Sequence, residues 1–346
     1  MKTTRIGVIG AGYWGPYLIR NFYELPEAEL EMVCDLNQER LDHIKSRYPG
    51  VQTSQNFRDL LASDVDAVVI ATPVSTHFNL ARECLAAGKH VLIEKPLANN
   101  SPHGREMVEM AQNMGKILMV GHTFVYNPAV MALKEIIASG EIGEVYYING
   151  TRVNLGLYQP DVNVVWDLAP HDISILLDIL GMKPTTASAR GGMFVKPGVF
   201  DVAYLTVQFP GCVMADLRVS WLDPCKIRRI TVVGSKKMIV YDDIEPKDKV
   251  KIYDKGVDVQ PYTDTYEEFH LAYRYGEAEP YPLDWHEPLR VECQHFIECI
   301  VNNTQPRTSG KDGLEVIKVL EAAQKSLLNG GEKVRVQWEM LQTTNE

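Results

Sequence analysis

The sequence predicts an α/β chain of two domains: a doubly wound parallel sheet, then an α+β domain with an open, mainly antiparallel sheet. Three observations carry this. A chain of 346 residues exceeds one ordinary core at about 150 residues per domain. Up to about residue 122, short β-branched apolar runs alternate with amphipathic helical patterns, the signature of a parallel sheet with helical crossovers. Beyond that point strand-like runs follow one another with turn signals between them, as antiparallel sheets do.

In the first part the apolar runs are 5–10, 31–35, 67–72, 90–94 and 117–121. They are nearly continuous rather than alternating, as strands buried on both faces are. Helices are expected at 16–25, 38–48, 79–87 and 104–114. Pro16 suits a first helical turn through its fixed φ, and Gly88 suits a C-terminal cap. The domains are therefore 1–122 and 123–346. The second opens with a helix at 128–139 and continues with strands at 144–154, 186–193, 202–209, 213–221, 227–233 and 237–242. One helix, 171–180, interrupts them, and helices at 288–302 and 311–328 close the chain. Residues 241–274 mix Asp, Lys and Tyr without a clear period and read as a loop.

Asp plus Glu number 45 against 35 Lys plus Arg, a net charge of −10. This excludes a general electrostatic pull towards nucleic acid or an anionic membrane. The six cysteines are scattered without a CxxC pair and read as reduced thiols of a cytoplasmic protein. No apolar run approaches the length of a membrane span, and the N-terminus lacks a signal-peptide core. His286-Glu287 and the Glu292, His295 pair lack HExxH spacing, so no metal site is expected.

The chemistry gathers at strand ends. Gly10, Gly12 and Gly15, with Tyr13 and Trp14 between them, join the first strand to the first helix. The first glycine allows the tight turn, the second lets backbone approach a pyrophosphate, and the third allows close helix–strand packing. A glycine-rich turn without a ligand is the bland alternative. Against it stands Asp35, 20 residues beyond Gly15, where a carboxylate accepts from a ribose 2′-hydroxyl. The same carboxylate repels a 2′-phosphate, which favours NAD over NADP, although Arg40 lies within a turn of it.

Thr72, Pro73 and His77 follow the third run, and Glu94-Lys95-Pro96 the fourth. A lysine there polarises a substrate oxygen, where most lysines serve only as surface charges. Asp167 and His171 are four residues apart. With Pro170 marking a first helical turn, His171 sits near a helix N-terminus, where the dipole disfavours imidazolium. Asp167 then either sets the imidazole tautomer or merely caps the helix. Arg152, Arg190, Arg218, Lys226, Arg228 and Arg229 are candidate cations for a diphosphate. Strand alternation sends Arg228 and Arg229 to opposite faces.

With these residues in order, the chain resembles the glucose-fructose oxidoreductase / inositol dehydrogenase / MocA (Gfo/Idh/MocA) family. The resemblance runs through the glycine turn, Asp35, Thr72-Pro73, Glu94-Lys95-Pro96, Asp167 with His171, and the closing helices. It implies a Rossmann-like first domain and a substrate-binding, oligomer-building second domain, with the active site in the crevice between them. It implies an NAD-dependent oxidoreductase moving hydride between nicotinamide and a secondary hydroxyl or keto group of a sugar. Lys95 stabilises the alkoxide, His171 is the base and Asp167 orients it. Tyr126, Asn154 and Arg152 join them as substrate contacts, and assembly is expected as a homodimer or homotetramer.

Two departures stand out: Val125 where the family often has Arg, and Asp161-Val162-Asn163 in place of a glycine-rich lead-in to Asp167. The stretch around Trp166 and the Ser220-Trp221 pair look like members acting on nucleotide-linked sugars of surface polysaccharides, such as C3 of a UDP-N-acetylhexosamine or its uronate. A free sugar, inositol or sugar phosphate is the alternative substrate, and a non-catalytic NAD-binding regulator the alternative of another class.

Overall fold

The computed structural model describes residues 3–159, 162–259 and 271–338. The chain divides into two compact units, Met1–Asn127 with His286–Glu321, and Pro128–Trp285 with Ala322–Glu346.

The first unit begins β1 (Thr4–Ile9), α1 (Gly15–Glu24), β2 (Ala28–Cys34), α2 (Gln38–Arg47), β3 (Gln52–Ser54) and α3 (Phe57–Ala62). It continues β4 (Ala67–Ile70), α4 (Val74–Ala86), β5 (His90–Glu94), α5 (Ser101–Asn113) and β6 (Leu118–Gly121), ending in a 3-10 turn at Thr123–Tyr126. The six strands pair in parallel in the order β3-β2-β1-β4-β5-β6. The continuous apolar runs are buried as their composition requires: every residue of β4 is buried. Pro16 lies in the first turn of α1, whose Leu18, Ile19 and Phe22 enter the core. β3 and α3 escape the sequence reading because a three-residue polar strand and a six-residue helix are too short to establish a period. α4 starts at Val74, earlier than expected, because Pro73 serves as its N-cap residue.

In the second unit α6 (Pro128–Ala138) precedes β7 (Val145–Leu155), and α7 (Val164–Leu180) separates β7 from β8 (Thr186–Gly192). Then come β9 (Val202–Gln208), β10 (Met214–Ser220), β11 (Leu222–Gly234), β12 (Met238–Asp242), β13 (Val250–Val259) and β14 (Leu271–Pro280). The stretch 241–274, read as a loop, instead supplies most of an antiparallel β13–β14 ribbon; residues 260–270 lie outside the described residues. Polar side chains along both strands leave no period-two apolar signal to read.

The chain closes with α8 (Pro288–Asn302), α9 (Gly310–Leu328) and β15 (Val334–Arg335). The second sheet has nine strands in the order β14-β13-β12-β11-β7-β10-β9-β8-β15. Its pairings are antiparallel except for β10 with β7.

The compact units differ from the sequential pair 1–122 and 123–346. α8 and most of α9 belong to the first unit, because α8 buries Leu289, Cys293, Phe296 and Ile297 in that unit's core. The Phe296 ring meets Phe22 edge-on at 6.4 Å. The Thr308 hydroxyl donates to the Val120 carbonyl at 2.7 Å.

Candidate active site

The glycine turn closes on itself. Gly10 has φ +101°, and a Cβ there would lie 2.4 Å from the Ala71 carbonyl oxygen. At Gly15 it would lie 2.1 Å from the Gly10 carbonyl oxygen. Both positions admit only glycine. Gly12 is different: the nearest atom to a Cβ there is Arg40 Nη1 at 3.6 Å, so the backbone faces open space at the start of α1. A diphosphate fits such a cradle, taking the unpaired helix amides as donors. Tyr13 and Trp14 are exposed beside it.

Asp35 follows β2 and is held by the turn it was expected to serve. Its Oδ2 accepts from the Ala11 amide at 2.7 Å and its Oδ1 from the Asn37 amide at 2.9 Å. Arg40 Nη1 lies 3.5 Å from Oδ2. The carboxylate is thereby fixed where β2 ends, with lone pairs left for a ribose hydroxyl.

At the end of β4 the Thr72 hydroxyl lies 2.7 Å from that of Thr76, and Pro73 is exposed. His77 is buried, Nδ1 2.9 Å from the Pro96 carbonyl oxygen and Nε2 2.9 Å from that of Thr72. It braces the turn after β4 against the turn after β5, a role in the scaffold rather than at a cofactor surface. Lys95 stands in that second turn, followed by the cis-linked Pro96.

Behind Lys95 lies a polar group of which the sequence singles out Glu94 but not His122. Glu94 ends β5; its Oε2 accepts from the Lys95 amide at 3.2 Å. Burial pushes its carboxyl up to about 7, opposed by Lys95 and by hydrogen bonds from the Lys95 amide and the Trp14 side chain. His122, at the end of β6, is buried, and burial with the nearby Lys95 charge lowers its pKa to about 3. Glu292 of α8 is fully buried and accepts from the Thr123 hydroxyl at 2.8 Å. Burial and the neighbouring Glu94 raise its pKa well above the carboxylate range. Among the described residues no group of three or more His, Cys, Asp and Glu could hold a metal ion.

Tyr126 does not reach a substrate surface. It is 1% exposed, its hydroxyl 3.1 Å from Thr308 Oγ1 and its ring against His295. A ring in a 3-10 turn that packs under α8 is core.

In the second unit, α7 begins at Val164, not Pro170. Asn163 is the cap: its Oδ1 accepts from the amides of Val165 and Trp166 at 3.0 and 3.3 Å. Pro170 therefore sits inside the helix, and His171 lies two turns in, away from the amides of the N-terminus. The dipole argument for a neutral His171 fails with that boundary. The spacing argument survives, because residues four apart share a helix face. Asp167 is no cap. Its Oδ2 accepts from Trp221 Nε1 at 2.9 Å, and Trp221 is 1% exposed. Asp161 lies outside the described residues.

Arg152 is committed elsewhere. Its Nε and Nη2 donate to Asp172 Oδ2 and Oδ1 at 2.8 and 2.9 Å, and both side chains are buried. It is a bidentate brace between β7 and the residue after His171, not an open cation for a diphosphate. Arg218 pairs with Asp223, Arg228 with Asp243 and Arg229 with Asp242. Arg190 lies against Gly331, and Lys226 is exposed on β11. Asn154 is half-buried on β7, its Oδ1 near Gly156.

Comparison with known proteins follows the same division. Residues 4–122 match the oxidoreductase family with the NAD-binding Rossmann fold, and residues 130–240 the GFO/IDH/MocA C-terminal domain. A myo-inositol 2-dehydrogenase of Thermotoga maritima is 27% identical over 340 residues, 93% of this chain and 96% of the relative. A UDP-N-acetylglucosamine 3-dehydrogenase of Acidithiobacillus ferrooxidans is 28% identical over 265 residues, 74% of this chain and 79% of the relative. A solved structure of a UDP-N-acetylglucosamine 3-dehydrogenase from the same organism superimposes with a TM-score of 0.80 at 25% identity, over 94% of this chain and 98% of that one. An enzyme of gentamicin A biosynthesis, solved with NAD, shares the fold with a TM-score of 0.82 at 22% identity, over 98% and 97% of the two chains. Among the described residues no helix is long and apolar enough to cross a membrane. Family models on both halves, and relatives of matching length, make this chain a member of the Gfo/Idh/MocA family of NAD-binding oxidoreductases.

Proposed function

We propose that this enzyme oxidises or reduces C3 of a nucleotide-linked sugar, a UDP-N-acetylhexosamine or its uronate, in the synthesis of a surface polysaccharide. The observation that carries the chemistry is Asp167 and His171 on one face of α7, with Asp167 tethered to Trp221. In the first unit, Lys95 after β5 is the cation proposed for the developing alkoxide. The UDP-N-acetylglucosamine 3-dehydrogenase relative favours the nucleotide-linked substrate. The inositol dehydrogenase relative favours a free cyclitol as the second reading.

NAD, when bound, supplies the hydride chemistry. In the oxidative direction His171 takes the hydroxyl proton while the Lys95 ammonium stabilises the developing alkoxide. Asp167 accepts from the imidazole, favouring the tautomer that leaves the other nitrogen basic. In reduction the same groups act in reverse. Asn154 is the proposed polar contact on the substrate side. Assembly as a homodimer or homotetramer and residence in the cytoplasm belong to the same proposal; exposed Tyr147 and Tyr204, on one face of the second sheet, suit an interface.

The test is turnover of UDP-, dTDP- and GDP-linked sugars and free polyols, followed by NADH absorbance, with the oxidised carbon located by NMR. Lys95→Ala and His171→Ala should each lower kcat/KM by about 10²–10⁴-fold. Turnover of inositol but no nucleotide-linked sugar would move the assignment to the second reading. Near-normal rates in both variants would refute the roles given to these residues.

A further inference from the structure

We propose that His77 is a positioning residue held as an imidazolium, whose two ring N–H groups tie the turn after β4 to the turn that carries Lys95. The ring sits in the first turn of α4 and is 1% exposed. Nδ1 lies 2.9 Å from the Pro96 carbonyl oxygen and Nε2 2.9 Å from that of Thr72. A carbonyl oxygen only accepts, and a neutral imidazole has one N–H to give. Both contacts are therefore hydrogen bonds only in the doubly protonated ring; a neutral ring turns a bare lone pair towards an oxygen at 2.9 Å. The bridge also stands where sheet pairing has ended. β4 and β5 pair from Ala67 with His90 to Ile70 with Ile93, and Lys95 lies beyond that last pair. The inference rests on the reading of Lys95 as the cation for the alkoxide and needs no assumption about the sugar.

Charge decides whether the bridge holds at one end or at both. Of the elements packed on α4, β4 carries no titratable side chain. β5 carries His90 at its far end and Glu94 at this one, with Lys95 following. α5 stacks His103 on Phe78, the residue after His77, with ring centroids 3.9 Å apart. Lys95 and the N-terminal dipole of α4 oppose a cation at His77. Two bonds donated by a cation, each about twice as strong as a neutral one, offset them, and ionised Glu94 adds to the same side. Loss of the proton releases one carbonyl and unties the Lys95 turn from the turn after β4.

Long-range proton–nitrogen NMR of the full chain, labelled at histidine nitrogen and held near neutral pH, reads the charge directly. His77 is assigned by its absence from the His77→Gln spectrum. It should show two protonated ring nitrogens of similar shift; one protonated and one bare nitrogen would overturn the imidazolium. His77→Gln should also lower kcat about tenfold, the rate equivalent of one hydrogen bond to a charged group, with little change in KM. In a Lys95→Ala background the same substitution should cost almost nothing further, because no ammonium is left to position. An equal loss in both backgrounds would reduce His77 to scaffold and overturn the positioning role. If His77→Gln does not fold, His77→Asn, also a neutral donor, serves for both readouts. Near-normal turnover in Lys95→Ala alone would instead overturn the reading of Lys95, while the charge of His77 still stands or falls on the spectrum.

Discussion

Trp221 Nε1 donates to Asp167 Oδ2 at 2.9 Å, one helical turn before His171. The indole is buried at the end of β10, where its own amide donates to the Asp201 carbonyl at 2.9 Å and its carbonyl accepts from the Gly156 amide at 3.0 Å. The backbone that carries the ring is thus held on both sides. A buried indole N–H needs an acceptor, so the bond orients the carboxylate as much as it satisfies the tryptophan. Orientation is what a general base requires of its partner.

Trp221→Phe should therefore lower kcat about fivefold, the rate equivalent of roughly 1 kcal/mol for one hydrogen bond, with little change in KM. Asp167→Asn should cost on the order of 10²-fold. Steady-state kinetics on the identified substrate check both. An unchanged kcat in Trp221→Phe would reduce the bond to a packing detail.

The glycines separate the chain's own needs from those of its ligand. Gly15→Ala drives a methyl group into the Gly10 carbonyl, so thermal stability and NAD binding should fall together. Gly12→Ala meets nothing nearer than Arg40 Nη1 at 3.6 Å. Its melting temperature should stay near wild type while NAD affinity drops by tenfold or more, about 1.4 kcal/mol. Melting curves with and without NAD decide this, and a Gly12→Ala protein that keeps full affinity would remove the diphosphate from that cradle.

Legibility in the sequence followed the range of the interaction. β5 and α8 have the bounds their residues announce, His90–Glu94 and Pro288–Asn302, because apolar run length and an N-terminal proline are local signals. Pro170 misled for the same reason. It looks like a helix start, but the Asn163 cap had already begun α7, and tertiary packing tolerates the N–H that proline withholds from the Trp166 carbonyl. Arg152 read as a free cation because its partner, Asp172, is 20 residues away and meets it only when α7 packs on β7. Trp221 was visible as an aromatic at a strand end, without any sign of what its N–H would meet. The glycine turn, Asp35, Lys95 and the Asp167–His171 spacing were legible because each is a residue type at a fixed offset from a strand or along a helix.

The Arg152–Asp172 pair makes a stability prediction. Burial works against the guanidinium charge, and the Asp172 carboxylate outweighs it. Asp172→Ala strands a buried cation and should destabilise the fold by about 3–5 kcal/mol. Arg152→Met with Asp172→Leu should recover most of that loss, since an apolar pair owes no desolvation. Urea-unfolding midpoints of the single and double variants check it. A single variant costing under about 1 kcal/mol would place the pair among those worth little.

His122 should make the fold acid-sensitive. Burial and the Lys95 charge bring its pKa from an ordinary 6.5 to about 3, so between these values the unfolded chain binds a proton that the folded chain does not. Stability must then fall as pH drops below about 6.5, by up to a few kcal/mol. His90, held down to about 4 by burial and Lys116, acts in the same direction. Glu94 acts oppositely, since a carboxyl raised to about 7 favours the folded state at low pH and loses that contribution as pH rises through 7. His122→Phe keeps a ring of similar size and removes one acid-sensitive group. Its unfolding midpoint should fall less than that of wild type between about pH 7 and about pH 5. Equal falls in the two proteins would show that His122 takes up its proton in the folded state as readily as in the unfolded one.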